Sequence, residues 1–210
     1  FYDVDHTILK GTSGVRFLMT GVARGVFPVG TTLYLPILLA RYRLGRLNVN
    51  VERRVIPAIR NRSRAELDEV ARLSHAAVRH RIYDDARRLI DERKRSGRRA
   101  VLATSSLEVI VRPLAEELGI DEVRAASFEL DGDRYTGRPA GPPRFGEQKR
   151  RAVMEYIRAH GLDVAGCAFF SDSVTDLPLL DAVGEPVAVN PDPRLRAVAR
   201  KRGWTILRWS

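Results

Sequence analysis

Cysteine is almost absent. Cys167 is the single one in 210 residues, so no disulfide can form within the chain, and a reducing, cytoplasmic setting is expected. That thiol sits in the apolar run AGCAFF and is expected to be buried. No stretch approaches the ~18 apolar residues that a membrane span requires. The nearest, VFPVGTTLYLPILLA at 26–40, is interrupted by Pro28, Gly30 and Pro36. No secretory leader pattern is visible. The sequence starts without Met and almost inside its first strand pattern, so a short preceding segment is expected. Aromatic residues make up 7% of the chain and the arginines are dispersed. A nucleic-acid surface of clustered cations and stacking rings is therefore disfavoured. No G-x-G-x-x-G follows the first strand pattern, which counts against a dinucleotide site there.

What is present describes a soluble globular chain: 44% hydrophobic and 30% charged residues, far from a disordered composition. The formal net charge is +10, from 36 Lys and Arg against 26 Asp and Glu. Such a balance suits anionic partners such as phosphorylated metabolites, although scattered arginines on solvated faces would produce it as well.

Residues 101–210 alternate strand and helix patterns. RAVLATSS reads as an apolar strand entering a polar turn, and the helix that follows has Gly119 as its stop. EVRAASFELDGDRYTGR reads as a short strand and a hairpin turning at Asp131-Gly132. GEQKRRAVMEYIRAHGL is a helix ending at Gly161. AGCAFFSDS, EPVAVNPD and WTILRW are strands separated by the helical patterns of TDLPLLDAVG and PRLRAVARKRG. This alternation predicts an α/β, doubly wound parallel sheet, with FYDVD as its first strand. Residues 15–98 instead show helical stretches at 15–25, 31–44, 49–60, 63–80 and 81–95. Ser63 and Glu66 form a capping box, followed by an apolar stripe of Leu67, Val70, Ala71, Ser74 and Val78. A crossover between parallel strands needs only about a dozen residues. The expected division is a core of 1–14 and 99–210, with residues 15–98 inserted as an all-helical cap.

Ligands of open parallel sheets bind at the carboxyl ends of the strands. There the sequence places Asp3, Asp5 and Thr7, then Thr104, Ser105 and Ser106, then Lys149, and finally Ser171, Asp172, Ser173 and Asp176. Carboxylates at i and i+2 on a strand end project to one side and repel unless a cation or proton intervenes. Mg²⁺, which prefers a few carboxylate oxygens plus water and phosphate, answers that need. Asp3, Asp172 and a backbone carbonyl can supply ligands, a carboxylate can attack phosphorus, and Thr104 and Lys149 can hold the oxygens on which charge accumulates. An EF-hand reading of D-x-D fails because its sixth position is Ile8 where Gly is required.

DVDHT, the VLATS strand end, Lys149 and SDSVTD resemble, in order, the four motifs of the haloacid dehalogenase (HAD) superfamily. The long helical insertion and the DLPLL…VAVNPDPRLRAVARKRGW tail resemble its subfamily IB, the phosphoserine-phosphatase-like branch. The resemblance implies a Rossmann-like core and a Mg²⁺-dependent phosphatase acting on a small phosphorylated metabolite. Asp3 would be the nucleophile and a metal ligand. Asp5 would be the acid and base, its carbonyl also on the metal. Thr104 and Lys149 would bind the phosphoryl group, Asp172 would complete the metal shell, and Asp176 would support it. Thr12, Ser13, Arg16, Ser105 and Ser106 are the candidate contacts to the leaving group. Two positions depart from the family pattern. His6 stands where Gly is frequent, and residues 9–14 lack the acid with which phosphoserine phosphatases hold the substrate ammonium, which argues against phosphoserine. An alternative places the same chemistry at a membrane surface, on a lipid phosphate, because the apolar stretch within 26–44 ends in Arg41 and Arg43. The cap's own core accounts for that stretch more simply.

Overall fold

The computed structural model describes residues 1–34, 58–120, 122–142 and 144–210. The helices expected over 49–60 and most of 31–44 fall largely outside them, as does most of the apolar stretch 26–44. After an extended opening segment, residues 1–4, come helix α1 (Ser13–Ala23), α2 (Arg64–Val78) and α3 (Asp84–Arg95). Strand β1 (Val101–Leu107), helix α4 (Glu108–Glu117) and strand β2 (Glu122–Ala126) follow. A hairpin of β3 (Phe128–Asp131) and β4 (Arg134–Pro139) precedes α5 (Glu147–Ala159). The chain closes with β5 (Ala168–Ser171), α6 (Leu177–Leu180), β6 (Glu185–Val189), α7 (Pro193–Arg202) and β7 (Thr205–Leu207).

The opening segment is the hinge of the topology. Tyr2 bridges in parallel to Leu102 on one side and Phe170 on the other. Its amide donates to the Val101 carbonyl at 2.9 Å, and the Asp3 amide donates to the Phe170 carbonyl at 2.9 Å. With β1 paired to β2, and β5 to β6 to β7, all in parallel, the order is β2, β1, opening segment, β5, β6, β7. This is a doubly wound Rossmann-like sheet, and its connections reverse direction beside the opening segment.

Burial on both faces follows from the two-residue period of a strand. Tyr2, Leu102, Phe170, Val187 and Val189 enter one core cluster with Ile90 of α3 and Val111 and Leu114 of α4. Phe1, Val101, Ala103, Phe169 and Ala188 point the other way, into a cluster with Val153 and Ile157 of α5, Leu179 and Leu180 of α6, and Leu195 of α7. Helix α3, which the expected boundary at residue 98 assigns to the insertion, thus packs on the sheet.

A third cluster joins α1 (Phe17, Leu18), Phe27, Ile59 and α2 (Leu67, Val70, Ala71) to Ile110 and to Tyr135 of the hairpin. The α2 stripe is buried as its spacing demands: Leu67, Val70, Ala71, Ser74 and Val78. Its capping box is present, with Ser63 Oγ accepting from the Glu66 amide at 3.2 Å and Glu66 Oε2 accepting from the Ser63 amide at 2.7 Å. The hairpin is stitched to the segment before α2 through backbone bonds, Asn61 N to Tyr135 O and Tyr135 N to Arg62 O, both 2.9 Å. Gly119 and Gly161 both lie at φ +59° just past their helices, the left-handed stop that glycine adopts without steric cost. Cys167, expected to be buried, is only half-buried, because it precedes β5 in the loop leading into the strand. Its thiol pKa is raised by burial.

Candidate active site

The opening segment and β5 end side by side at the point where the connections diverge, and the acidic residues cluster there. Asp3 is 7% exposed, Asp176 2% and Lys149 3%. The ammonium of Lys149, from the first turn of α5, donates to Asp3 Oδ1 at 3.0 Å. It also lies 2.7 Å from Asp176 Oδ1 and 2.8 Å from Oδ2. The hydroxyl of Ser171, wholly buried at the end of β5, donates to Asp176 Oδ2 at 2.7 Å. Thr7 and Asp172 are locked to each other: the Asp172 amide donates to Thr7 Oγ1 at 3.0 Å, and that hydroxyl is 3.3 Å from Asp172 Oδ1.

The electrostatics of this cluster are unbalanced. Three carboxyl groups, Asp3, Asp172 and Asp176, share one ammonium, an excess of two negative charges whenever all three are ionised. Burial pushes the Asp3 carboxyl up to about 7; Lys149 opposes this, and Asp176 and Asp5 reinforce it. Burial, together with repulsion from Asp3 and Asp176, pushes Asp172 up to about 8. For Lys149 burial works against the charge, but Asp176 and Asp3 outweigh it and hold its pKa above that of an ordinary lysine. A buried excess of two negative charges is what a divalent cation relieves. Among the described residues no group of three His, Cys, Asp or Glu side chains could hold a metal ion. A cation here would have two carboxylates, from Asp3 and Asp172, and backbone oxygen as its donors. That suits Mg²⁺, which keeps several waters and needs few protein ligands, and does not suit an all-protein cage.

Asp5 is fixed by different partners. Its Oδ1 accepts from the Ser13 amide at 2.8 Å and its Oδ2 from the Ser106 hydroxyl at 3.0 Å. The hydroxyls of Ser13 and Ser106 are 3.1 Å apart. The turn that brings Asp5 back to α1 passes through His6 at φ +60°. That left-handed conformation costs a side chain about 1 kcal/mol or more, with His among the residues that tolerate it best. The position therefore suits Gly for a backbone reason, whatever the imidazole contacts.

A cleft of ≈ 920 Å³ opens above this cluster. Asp3, Lys149, Asp172 and Asp176 form its floor, and Thr12, Arg16 and Ser105 are on its walls. Asp5, Ser13 and Ser106 are not among its lining; the two serines bond to Asp5. Thr104 is 1% exposed, with its hydroxyl accepting from the Ser106 amide at 3.2 Å.

Asp192 escaped the sequence reading. Its Oδ1 caps α7 by accepting from the amides of Arg194 and Leu195, each at 2.8 Å, and its Oδ2 accepts from the Val174 amide at 2.8 Å. It thereby ties the loop carrying Asp172 and Asp176 to the last helix. The Asp-Pro start of PDPRL was the available signal, an N-cap acid before proline at the first helical position.

Residues 1–181 match the haloacid dehalogenase-like hydrolase family. Phosphoserine phosphatase SerB1 of Mycobacterium tuberculosis (strain ATCC 25618 / H37Rv) is 32% identical over 212 residues, covering 98% of this chain and 69% of that protein. Histidinol-phosphatase of Neisseria meningitidis serogroup C (strain 8013) is 34% identical over 125 residues, 58% of this chain and 56% of that protein. A protein of unknown function from Bordetella pertussis Tohama I, of known crystal structure, superposes with a TM-score of 0.87 at 29% identity, covering 98% of this chain and 96% of its own. The chain belongs to the haloacid dehalogenase-like hydrolase family, on its phosphoserine-phosphatase-like branch, and is a phosphatase.

Proposed function

We propose that the protein is a Mg²⁺-dependent phosphatase that cleaves a small phosphomonoester through an aspartyl-phosphate on Asp3. The observation that carries this reading is the buried Asp3–Lys149–Asp176 network beside Asp172, three carboxyl groups to one ammonium, at the divergence point of the sheet. Asp3, Asp172 and the Asp5 carbonyl would hold the cation. Bound there, Mg²⁺ would neutralise the carboxylates and the phosphoryl oxygens so that an anion can approach an anion.

The chain's own residues then divide the work. Lys149 holds Asp3 Oδ1, and Oδ2 accepts no hydrogen bond from the described residues. An Asp3 oxygen attacks phosphorus, the phosphorus–alcohol bond breaks, and the departing oxygen takes its proton from Asp5. A water oxygen next attacks phosphorus while Asp5 takes a proton from it. The bond to Asp3 breaks, releasing phosphate and restoring the carboxylate. Thr104 and Lys149 bind phosphoryl oxygens, and Asp176 keeps Lys149 oriented. The helical insertion proposed at 15–98, apart from α3 on the sheet, selects the leaving group, with Thr12, Arg16 and Ser105 on the cleft wall. Both named relatives carry names for phosphomonoesters of amino compounds, which supports a small phosphorylated metabolite as the substrate class.

The two aspartates separate in a trapping experiment. Asp3→Asn removes the attacking oxygen, so neither turnover nor phosphoenzyme is expected. Asp5→Asn removes proton transfer, an effect of about 10²–10⁴ in rate, and weighs less on the first step when the leaving group is good. Intact-protein mass spectrometry after mixing with an activated aryl phosphate should show one phosphoryl adduct on Asp3 in Asp5→Asn protein. Turnover by Asp3→Asn, or an adduct mapped elsewhere, overturns the assignment.

A further inference from the structure

The walls of the cleft are as informative as its floor. Four carboxylates line it among the described residues: Asp3, Asp172, Asp176 and Asp192. Each is already engaged. Asp3 and Asp176 face Lys149, and Asp172 faces Thr7. Asp192 has both oxygens occupied by backbone amides.

The cations on the walls are in the opposite condition. Arg16 of α1, Arg81 of the 3₁₀ turn before α3, and Arg194 of α7 all reach the cleft. None of the three has an acidic partner among the described residues. Some arginines outside the cleft do find acids, as Arg138 does with Glu129 at 2.7 Å and Arg72 with Glu69 at 2.8 Å. Arg81 is placed by the backbone: the Lys10 amide donates to its carbonyl at 2.8 Å, and Leu9 bridges to Ile82. Its guanidinium lies beside Gly11, where a Cβ would stand 3.5 Å from Nη2 and where φ is +102°. Glycine at position 11 lets the turn pass under the arginine. Arginine is the side chain best shaped to take a carboxylate or phosphate through two parallel N–H bonds.

We propose that this cleft takes phosphomonoesters whose leaving alcohol carries a second anionic group, a carboxylate or another phosphate, held by Arg16 and Arg81, and that it disfavours leaving groups bearing an ammonium. The inference rests on the phosphatase reading above and narrows its substrate class. An anion satisfies guanidinium groups that have no acidic partner among the described residues, whereas an ammonium beside them meets like charge.

Matched substrates test it. With Mg²⁺ present, kcat/KM is measured for 3-phosphoglycerate against glycerol 3-phosphate and O-phosphoserine, and for a sugar bisphosphate against its monophosphate. An aryl phosphate serves as the baseline. The expected result is a preference of about tenfold or more for the doubly anionic member of at least one pair, and phosphoserine below 3-phosphoglycerate. The two pairs separate a carboxylate from a phosphate as the second anion. Arg81→Gln and Arg16→Gln should each reduce that preference ratio by about tenfold, and Arg81→Lys should retain part of it. Both side chains are exposed, so folded variants are expected, and the thermal midpoint of each verifies it. Equal rates within both pairs, or a preference for phosphoserine, overturn the inference while aryl phosphate turnover upholds the phosphatase reading. Absence of aryl phosphate turnover in the wild type removes that reading and this inference together.

Discussion

Replacing Lys149 by Met keeps the length and most of the volume of a side chain that is 3% exposed but removes the one ammonium among three carboxylates. Breaking a buried ion pair by deleting one partner costs about 3–5 kcal/mol, because the surviving charges stay buried without compensation. For a chain of this size each kcal/mol moves the melting temperature by about 2–4 °C. The metal-free variant should therefore melt on the order of 6–20 °C below wild type at pH 8. The loss should depend on pH in a set direction. Asp3, pushed up to about 7, keeps its proton at pH 5, so Lys149 then faces less negative charge and its removal costs less. The deficit should grow as pH rises toward 8, where Asp3 and Asp172, the latter pushed up to about 8, lose their protons. Calorimetry of both proteins in EDTA at pH 5 and pH 8 measures it. A deficit under about 3 °C at pH 8, or one equal at the two pH values, would refute the claim that this lysine acts by charge.

The same carboxylates make the metal-free wild type pH-sensitive. Folded-state pKa values above the unfolded ones add stability at low pH that is lost as pH rises through about 7 and 8. Melting temperature in EDTA should fall from pH 5 to pH 8. A fixed Mg²⁺ concentration, 100 times the dissociation constant measured at pH 8, should restore about 2.7 kcal/mol at that pH and less at pH 5, where protons compete for the carboxylates; a shift independent of pH would contradict the site. Ser106→Ala removes the 3.0 Å hydrogen bond to Asp5 Oδ2, and kcat for a poor leaving group should drop about three- to tenfold with KM little changed. An effect confined to KM would place Ser106 on the substrate and not on Asp5. Gly184→Ala would set a Cβ 1.9 Å from the Ala165 carbonyl oxygen, a backbone atom that cannot swing away. Denaturant titration should show a loss of about 1–3 kcal/mol, and an unchanged midpoint would refute that close approach.

Much of the architecture was legible in local patterns. Strand alternation predicted the doubly wound sheet, the Ser63 and Glu66 pair marked the start of α2, and Gly119 and Gly161 marked helix ends. These features depend on residues two to four positions apart, so the sequence displays them directly. The acids that gather at the strand ends were nameable for the same reason: a carboxylate at the end of an apolar strand is conspicuous wherever the strand lies. What the sequence could not state is which distant elements meet. Lys149 reaches Asp3 across 146 positions and Ser106 reaches Asp5 across 101, distances set by the order of strands in the sheet. Helix α3 reads as one more amphipathic helix of the insertion, yet Ala86 and Ile90 fill the core cluster under the sheet. Ser13 and Ser106 read as substrate contacts because hydroxyls near a strand end suit phosphate equally well. Only the fold shows them turned toward Asp5, since a side chain's partner depends on the direction from which its own backbone arrives.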